Sequence, residues 1–267
     1  MVKHVFIYSN DTEFSLPIKE KIRAFFSNSS SLEEDAVLTQ DTDLIICIGG
    51  DGTLLHLIHE LNFPETPIVG VNTGHLGFFQ DLQPTEVEDF LKRWIQSGQH
   101  VQLYSTIQSQ IWTGDKMTTL YGLNEMVIRG RTGSVIHLGV SIGSSFIEHF
   151  SGDGLLVSTP AGSTAYNYSL GGSIVDPRLE LLQVTPIAPM NNNSYRSFTS
   201  SLILPSDYTL RMEPEEPHSF VQIETDGFVY PFQNVKTIRI SYSKKKLRCI
   251  RILGHDFWKK VKDKYLG

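Results

Sequence analysis

Residues 46–58 read ICIGGDGTLLHLI: an apolar run, a cluster of glycines around a single aspartate, then a second apolar segment. A continuous apolar run ended by glycine fits a strand buried on both faces, as in a parallel sheet. Beyond Thr53 the apolar residues return at helical spacing. The glycines therefore sit where a strand turns into a helix, and they let backbone N–H groups approach a ligand closely. Ligands of open α/β sheets bind outside the carboxyl ends of the strands, which is where Asp51 falls. Two familiar phosphate loops are excluded, because the stretch is neither GxxxxGK[ST] nor GxGxxG. Asp51 either caps the helix behind it or faces a substrate. Directly after an apolar strand and among three glycines, the second reading is favoured. It makes Asp51 an exposed, mobile carboxylate with no adjacent cation in sequence, able to take a proton from a hydroxyl that attacks a phosphoryl group.

The surrounding sequence repeats the strand–helix alternation. KHVFIYS (3–9), DLIICIGG (43–50) and TPIVGVN (66–72) read as strands. PIKEKIRAFF (17–26), TLLHLIHEL (53–61) and PTEVEDFLKRWIQSG (84–98) read as helices, the last opened by Pro84 and closed by Gly98. Residues 1–100 are thus expected to form a Rossmann-like parallel α/β domain carrying GGDGT. Near residue 100 the pattern changes to short strand-like segments separated by glycine and polar turns, among them VIHLGVSIG, LLVSTP, FVQIETDG, TIRISY and LRCIRIL. Residues 101–252 are expected to form an antiparallel β-sandwich. Residues 160–195, rich in Gly, Ser, Asn and Pro, read as functional loops. HDFWKKVKDKYLG closes the chain as a helix within residues 253–267.

Composition bounds the partners. The 267 residues carry a net charge of −6, so nothing global points to nucleic acid. The densest basic stretch, Lys244, Lys245, Lys246 and Arg248, is expected to be a solvated turn between two strands. Cys47 and Cys249 lie in apolar runs, outside any CxxC pair, and are expected to be buried hydrophobes. The N-terminus shows no signal-peptide pattern, and no run reaches the roughly 18 apolar residues of a membrane helix. The expectation is a cytoplasmic protein without membrane or nucleic-acid partners, and neither cysteine reads as part of a metal site.

Three further stretches carry chemistry. NTGHLGFF (72–79) puts a second glycine turn at the same sheet edge, with Phe78 and Phe79 available as an aromatic wall, at least one of them packing in the core. His75 reads as a loop side chain bonded to backbone rather than a base. LNEMVI (123–128) sets Asn124 beside Glu125, an amide and a carboxylate suited to ribose hydroxyls or an adenine edge. GDGLLVSTPAGSTAYNYSLGGSIVDP (152–177) offers Asp153, hydroxyls at Ser158, Thr159, Ser163, Thr164 and Ser169, small residues for close approach, and the flat face of Tyr166.

Taken in order, GGDGT, NTGHLGFF, NE and GDGLLVSTPAGSTAYNYSLGG resemble the bacterial NAD kinases, a family whose members use ATP or polyphosphate. The 152–172 block carries most of that specificity, since GGDGT alone also occurs in diacylglycerol kinases and phosphofructokinases. The resemblance implies an α/β domain followed by a β domain, with the C-terminal segment returning to the first. It implies phosphorylation of the adenosine ribose 2′-hydroxyl of NAD to give NADP, with Asp51 as base and Gly52 against the nucleotide. Asn124 and Glu125 would hold adenine and ribose. Thr164, Ala165, Tyr166, Asn167, Tyr168 and Ser169 would line the adenosine pocket, with Ser158 nearby and Phe78 beside the base. Asp153 and Ala188 would meet the nicotinamide end, from the same or a neighbouring subunit. Mg²⁺ or another divalent cation would accompany the donor, and the chain would assemble as a homodimer or homotetramer. Three positions depart from the family pattern: Ser151 where many members carry a basic residue, Phe228 where DGQ is usual, and Asp176 before Pro177 where histidine is common. Two other readings are a catalytically silent NAD(P)-binding sensor and a lipid or sugar kinase sharing only GGDGT. The retained Asp51 speaks against the first, the TAYNYS block against the second.

Overall fold

The apolar runs of the first hundred residues become parallel strands. The computed structural model describes residues 2–10, 12–74, 76–97, 100–193, 195–216, 220–252 and 254–267; His75 and Gly98 lie outside them. In chain order the elements are β1 (Lys3–Ser9), α1 (Leu16–Ser27), β2 (Leu32–Asp35), β3 (Leu44–Gly49), α2 (Asp51–Glu60), β4 (Ile68–Asn72), β5 (Gln80–Leu82) and α3 (Val87–Ser97). There follow β6 (His100–Thr113), β7 (Lys116–Gly122), β8 (Glu125–Arg129), β9 (Ile136–Ile142), β10 (Ser145–Gly152), β11 (Gly154–Ser158) and the one-turn α4 (Tyr166–Ser169). The chain ends with β12 (Leu181–Ile187), β13 (Leu202–Pro205), β14 (Leu210–Pro214), β15 (Phe220–Thr225), β16 (Phe228–Gln233), β17 (Val235–Arg251) and α5 (Phe257–Tyr265). Two units result: Met1–Tyr104 with Lys246–Gly267, and Ser105–Lys245.

In the first unit β2, β1, β3 and β4 lie side by side in that order, all parallel. Beside β4, Cys249 near the end of β17 pairs in parallel with Ile68, and β5 pairs at Gly70 and Val71. All six residues of β3 are buried, as a strand covered on both faces requires. Leu44, Ile46 and Ile48 pack with Ile22 and Phe26 of α1 and with Val87, Phe90 and Leu91 of α3. The strand order brings the carboxyl ends of β1, β3 and β4 to one edge, where Asn10, Asp51 and Thr73 follow.

The second unit is a sandwich. One sheet orders β13, β12, β11, β8, β15 and β16, with every adjacent pair antiparallel. The other orders β10, β9, β14 and β17, with β6 and β7 continuing from β17. Met126, Leu155, Val157, Val184 and Ile223 of the first meet Leu138, Phe150, Met212, Ile238 and Ile240 of the second in one core. Period-two alternation produces this, since each strand turns alternate residues inward.

Lys244–Lys246 and Arg248 are not a turn. They lie inside β17, which runs unbroken for 17 residues. The buried positions change from even (Ile238, Ile240) to odd (Ser243, Leu247, Cys249) just ahead of the lysines. Lysine stems tolerate a strand while their ammonium groups stay wet, and Lys245 lies 4.5 Å from the centroid of Tyr121. Both cysteines are buried and unpaired. Among the described residues, no helix is long and apolar enough to cross a membrane.

Candidate active site

Asp51 is the first residue of α2, yet it does not cap it: Gly50 holds that position, without a side-chain cap bond. Gly49 has φ +153°, and a Cβ there would fall 2.2 Å from Thr53 Oγ1, so the strand-to-helix turn requires glycine. The Asp51 carboxylate reaches instead to the second glycine turn. Its Oδ2 accepts the Phe78 N–H at 3.0 Å and its Oδ1 the Phe79 N–H at 3.1 Å. A Cβ at Gly77 would lie 2.6 Å from Oδ1, so a side chain there would displace the carboxylate. The expectation of a mobile aspartate is thereby corrected. The group is 26% exposed, fixed by two N–H groups, and faces Lys264 of α5, whose Nζ is 3.8 Å from Oδ2. Fixing through one lone pair on each oxygen leaves the others for a substrate proton.

Phe78 and Phe79 are both buried, as a packing role demands. The Phe78 ring sits 5.7 Å from Phe257 and 6.4 Å from Tyr265, with Lys264 Nζ 4.8 Å above it. Gly52 is exposed in the first turn of α2, with open space where a side chain would stand. At the same edge lies a group of neutral polar side chains that the sequence reading missed. Asn10 donates to Thr53 Oγ1 at 3.1 Å and accepts from Thr12 and Ser15, while Ser15 meets Thr73 at 3.2 Å. The available signal was their place just after β1 and β4, at the carboxyl edge of the sheet.

Behind the Phe78–Asp81 segment lies a buried charged cluster. Lys260 Nζ donates to Asp81 Oδ1 at 2.7 Å and to the carbonyls of Gln80 and Phe78 at 2.9 and 3.3 Å. Arg251 donates to Asp81 Oδ1 at 3.2 Å and to the Phe79 carbonyl at 3.4 Å, and it also bonds the Tyr104 hydroxyl. Burial opposes ionisation of Asp81. The bond from His255 and the charges of Arg251 and Lys260 override it and hold the carboxyl well below the usual carboxylate range.

In the second unit, Asn124 and Glu125 are presented by an aspartate that lies 102 positions beyond Asn124. Asp226 accepts the N–H groups of Leu123 and Asn124 at 2.7 Å and of Glu125 at 3.4 Å. It occupies the β15–β16 turn with φ +50°, followed by Gly227 at φ +87°, the positive-φ pair of a tight hairpin. The opposite side is closed by Thr159, whose N–H donates to the Asn124 carbonyl at 2.9 Å. Gly162 packs so tightly that a Cβ would lie 2.0 Å from that carbonyl oxygen. Held this way, Asn124 Oδ1 and Glu125 Oε2 are buried without a hydrogen-bond partner among the described residues, which in a native fold calls for a ligand or water. Burial, then the charges of Asp226 and Glu224, push the Glu125 carboxyl up to about 8.

The 158–169 residues divide by exposure. Ser158 and Asn167 are fully buried: Ser158 Oγ donates to the Thr159 carbonyl at 2.8 Å, and Asn167 Oδ1 accepts from Thr185 at 2.7 Å. Thr164 is buried, and its Oγ1 donates to the Ala161 carbonyl at 3.4 Å. Ala165 and Tyr166 are half-buried, Tyr168 and Ser169 exposed. The Tyr166 hydroxyl accepts from Arg129 Nη2 at 2.6 Å, and Arg129 Nε lies 3.3 Å from Glu224. Asp153 is exposed and lines a cavity of about 300 Å³ with Arg129, Arg131, Gln222 and Glu224. Ala188, exposed with φ +44°, follows Ile187, whose carbonyl accepts the Asp153 N–H at 3.0 Å.

Residues 12–99 match the family model for the ATP-NAD kinase N-terminal domain, and residues 123–252 that for the C-terminal domain. The NAD kinase of Finegoldia magna is 34% identical over 275 residues, covering 99% of this chain and 98% of its own. NAD kinase 1 of Oceanobacillus iheyensis is 36% identical over 270 residues, covering 98% and 97%. Among solved structures, yeast NADH kinase complexed with NADH superposes with a TM-score of 0.83 at 21% identity, over 98% of this chain and 87% of that one. An NAD kinase from Archaeoglobus fulgidus in complex with ATP superposes with a TM-score of 0.74 at 22% identity, over 93% of each chain. The solved structures establish the fold and the sequence matches the family. The chain belongs to the ATP-NAD kinase family, and its reaction is the phosphorylation of NAD.

Proposed function

We propose that the chain transfers the terminal phosphoryl group of ATP, or of polyphosphate, to the adenosine ribose 2′-hydroxyl of NAD, with Asp51 as general base. The observation that carries the base assignment is the double N–H clamp on the Asp51 carboxylate at the carboxyl edge of a parallel sheet. A carboxylate fixed in this way needs no reorganisation when it accepts a proton. The hydroxyl proton passes to Asp51, the hydroxyl oxygen bonds the γ-phosphorus, and the bond to the bridging oxygen breaks, its electron pair leaving with ADP. Gly52 and the neutral cluster of Asn10, Thr12, Ser15 and Thr73 lie against the donor. These oxygens, with Asp51, suit a hard divalent cation that arrives on the phosphates and retains waters. When bound, that cation neutralises charge on the phosphate oxygens.

Asn124 and Glu125 hold adenine and ribose, their two unpartnered oxygens matching ligand donors. Thr164, Ala165, Tyr166, Tyr168 and Ser169 line the adenosine pocket, while Ser158 and Asn167 support the loop from behind. Asp153 and Ala188 serve the nicotinamide end. A homodimer or homotetramer fits the apolar side chains exposed on the second unit, among them Phe146, Phe198 and Ile203. A cytoplasmic setting fits two buried, unpaired thiols. The test is NADP formation from NAD, ATP and Mg²⁺, read with an NADP-specific dehydrogenase, beside the Asp51→Asn variant. An Asp51→Asn protein that binds NAD but makes no NADP is the expected result, and unchanged turnover would sink the base assignment.

A further inference from the structure

Phosphoryl transfer develops negative charge that must be met by fixed cations. Residues 24–91, which contain both glycine turns and Asp51, include neither lysine nor arginine. The C-terminal helix carries four lysines, at 259, 260, 262 and 264. Helical spacing puts Phe257, Lys260, Lys264 and Tyr265 on neighbouring positions of one face, and that face meets Phe78 and Asp81. Lys260 is committed to Asp81 and to backbone carbonyls. Lys264 is not: its Nζ lies over the Phe78 ring and 3.8 Å from Asp51 Oδ2. That separation exceeds a hydrogen bond, so Asp51 does not consume the ammonium donors.

We infer that Lys264 is a catalytic residue, its ammonium contacting the phosphoryl group as it passes to the hydroxyl held by Asp51. This rests on Asp51 as base. A hydroxyl about 2.6–3.2 Å from Asp51 places the attacked phosphoryl oxygens within reach of a cation that stands beside the same carboxylate oxygen. Lys264 thus supplies from the end of the chain the charge that a GxxxxGK[ST] loop carries within itself. The bond from Lys260 to Asp81 and the Phe78–Phe257 contact hold α5 in the position that makes this possible.

The test compares Lys264→Met, Lys264→Gln and Lys264→Arg with the unaltered full chain for kcat, both KM values, pH–rate profile and melting temperature, with Asp51→Asn in parallel. Lys264→Met and Lys264→Gln are expected to lower the plateau of kcat on the order of 100-fold, with KM for NAD within about threefold. Melting temperature should hold, and Lys264→Arg should restore most of the rate. A lysine that merely neutralised Asp51 would shift the acid limb of the profile and leave the plateau; that result overturns the inference. Equal losses in all three variants with a lowered melting temperature overturn it too, because they mark a packing role. An inactive Asp51→Asn beside a normal Lys264→Met removes the lysine alone. An active Asp51→Asn beside a slow Lys264→Met, rescued by arginine, removes the base assignment and leaves the lysine in place.

Discussion

Asp51 and Asp226 are both followed by glycine, and each carboxylate accepts backbone N–H groups from another segment of its own unit. They differ in what remains. Asp226 takes three N–H groups, is 7% exposed, and its own N–H donates back to the Glu125 carbonyl. Asp51 takes two, keeps 26% of its side chain exposed, and has a cation 3.8 Å away. The same local chemistry builds a closed clamp in one unit and an open, charged corner in the other. Accessibility, not the Asp-Gly pair, separates the reacting carboxylate from the positioning one.

That contrast is broken most directly by removing the carboxylate at both positions. Asp51→Asn should lower kcat by about 10³-fold, the middle of the range for general-base removal. The melting temperature should fall only modestly, since an asparagine oxygen still accepts one of the two N–H groups. Asp226→Ala should do the reverse. It strands three buried N–H groups at a cost of about 2–4 kcal/mol, visible as a lowered urea midpoint, and it frees the loop carrying Asn124 and Glu125. KM for NAD should therefore rise more than kcat falls. Comparable kcat losses in both variants would erase the distinction.

Glu125 sharpens the comparison, because burial first, and then the charge of Asp226, favours its protonated form. Its folded-state value of about 8 lies above the ordinary glutamate range, so the folded protein holds a proton that the unfolded chain has released. Its contribution to stability is full below about pH 4.5 and declines as pH rises toward 8. Glu125→Gln cannot ionise and escapes that decline. The variant's unfolding free energy should gain on the parent's between pH 5 and pH 8, by an amount on the order of 1–3 kcal/mol, read from urea unfolding at each pH. A constant difference across that range would show Glu125 ionised throughout.

What the sequence made legible follows from how local each signal is. ICIGGDGTLLHLI encodes its strand, turn and helix within 13 residues, and the structure places β3, the Gly49 turn and α2 there. β2, Leu-Glu-Glu-Asp, and β5, Gln-Asp-Leu, were invisible because such short strands carry too few apolar residues to show a period. β17 reads as two segments because its alternation changes phase between Ile240 and Ser243 and three lysines follow. The two glycine turns and the Asn-Glu pair could be found locally. The residues that complete them could not: Asp226 acts 102 positions from Asn124, and Lys264 stands far along the chain from Asp51. Pairings across such separations are set by the fold, and no periodicity announces them.

Tyr166 gives the smallest expected effect and the finest cut. Its hydroxyl accepts one bond from Arg129, 2.6 Å long, while Arg129 also lies 3.3 Å from Glu224 and its guanidinium 5.7 Å from the centre of the tyrosine ring. Tyr166→Phe removes the hydroxyl and keeps the flat face. Because the arginine retains Glu224, the loss should be about 1 kcal/mol or less in stability. If the ring face is what serves the adenosine pocket, KM for NAD should move by less than about threefold. Tyr166→Ala, which removes the face as well, should raise KM for NAD by about 10-fold, the equivalent of about 1.4 kcal/mol. Equal KM values in the two variants would assign the work to the Arg129–Tyr166 bond, and the pocket would then be built on the same kind of fixed polar contact as the Asp226 clamp.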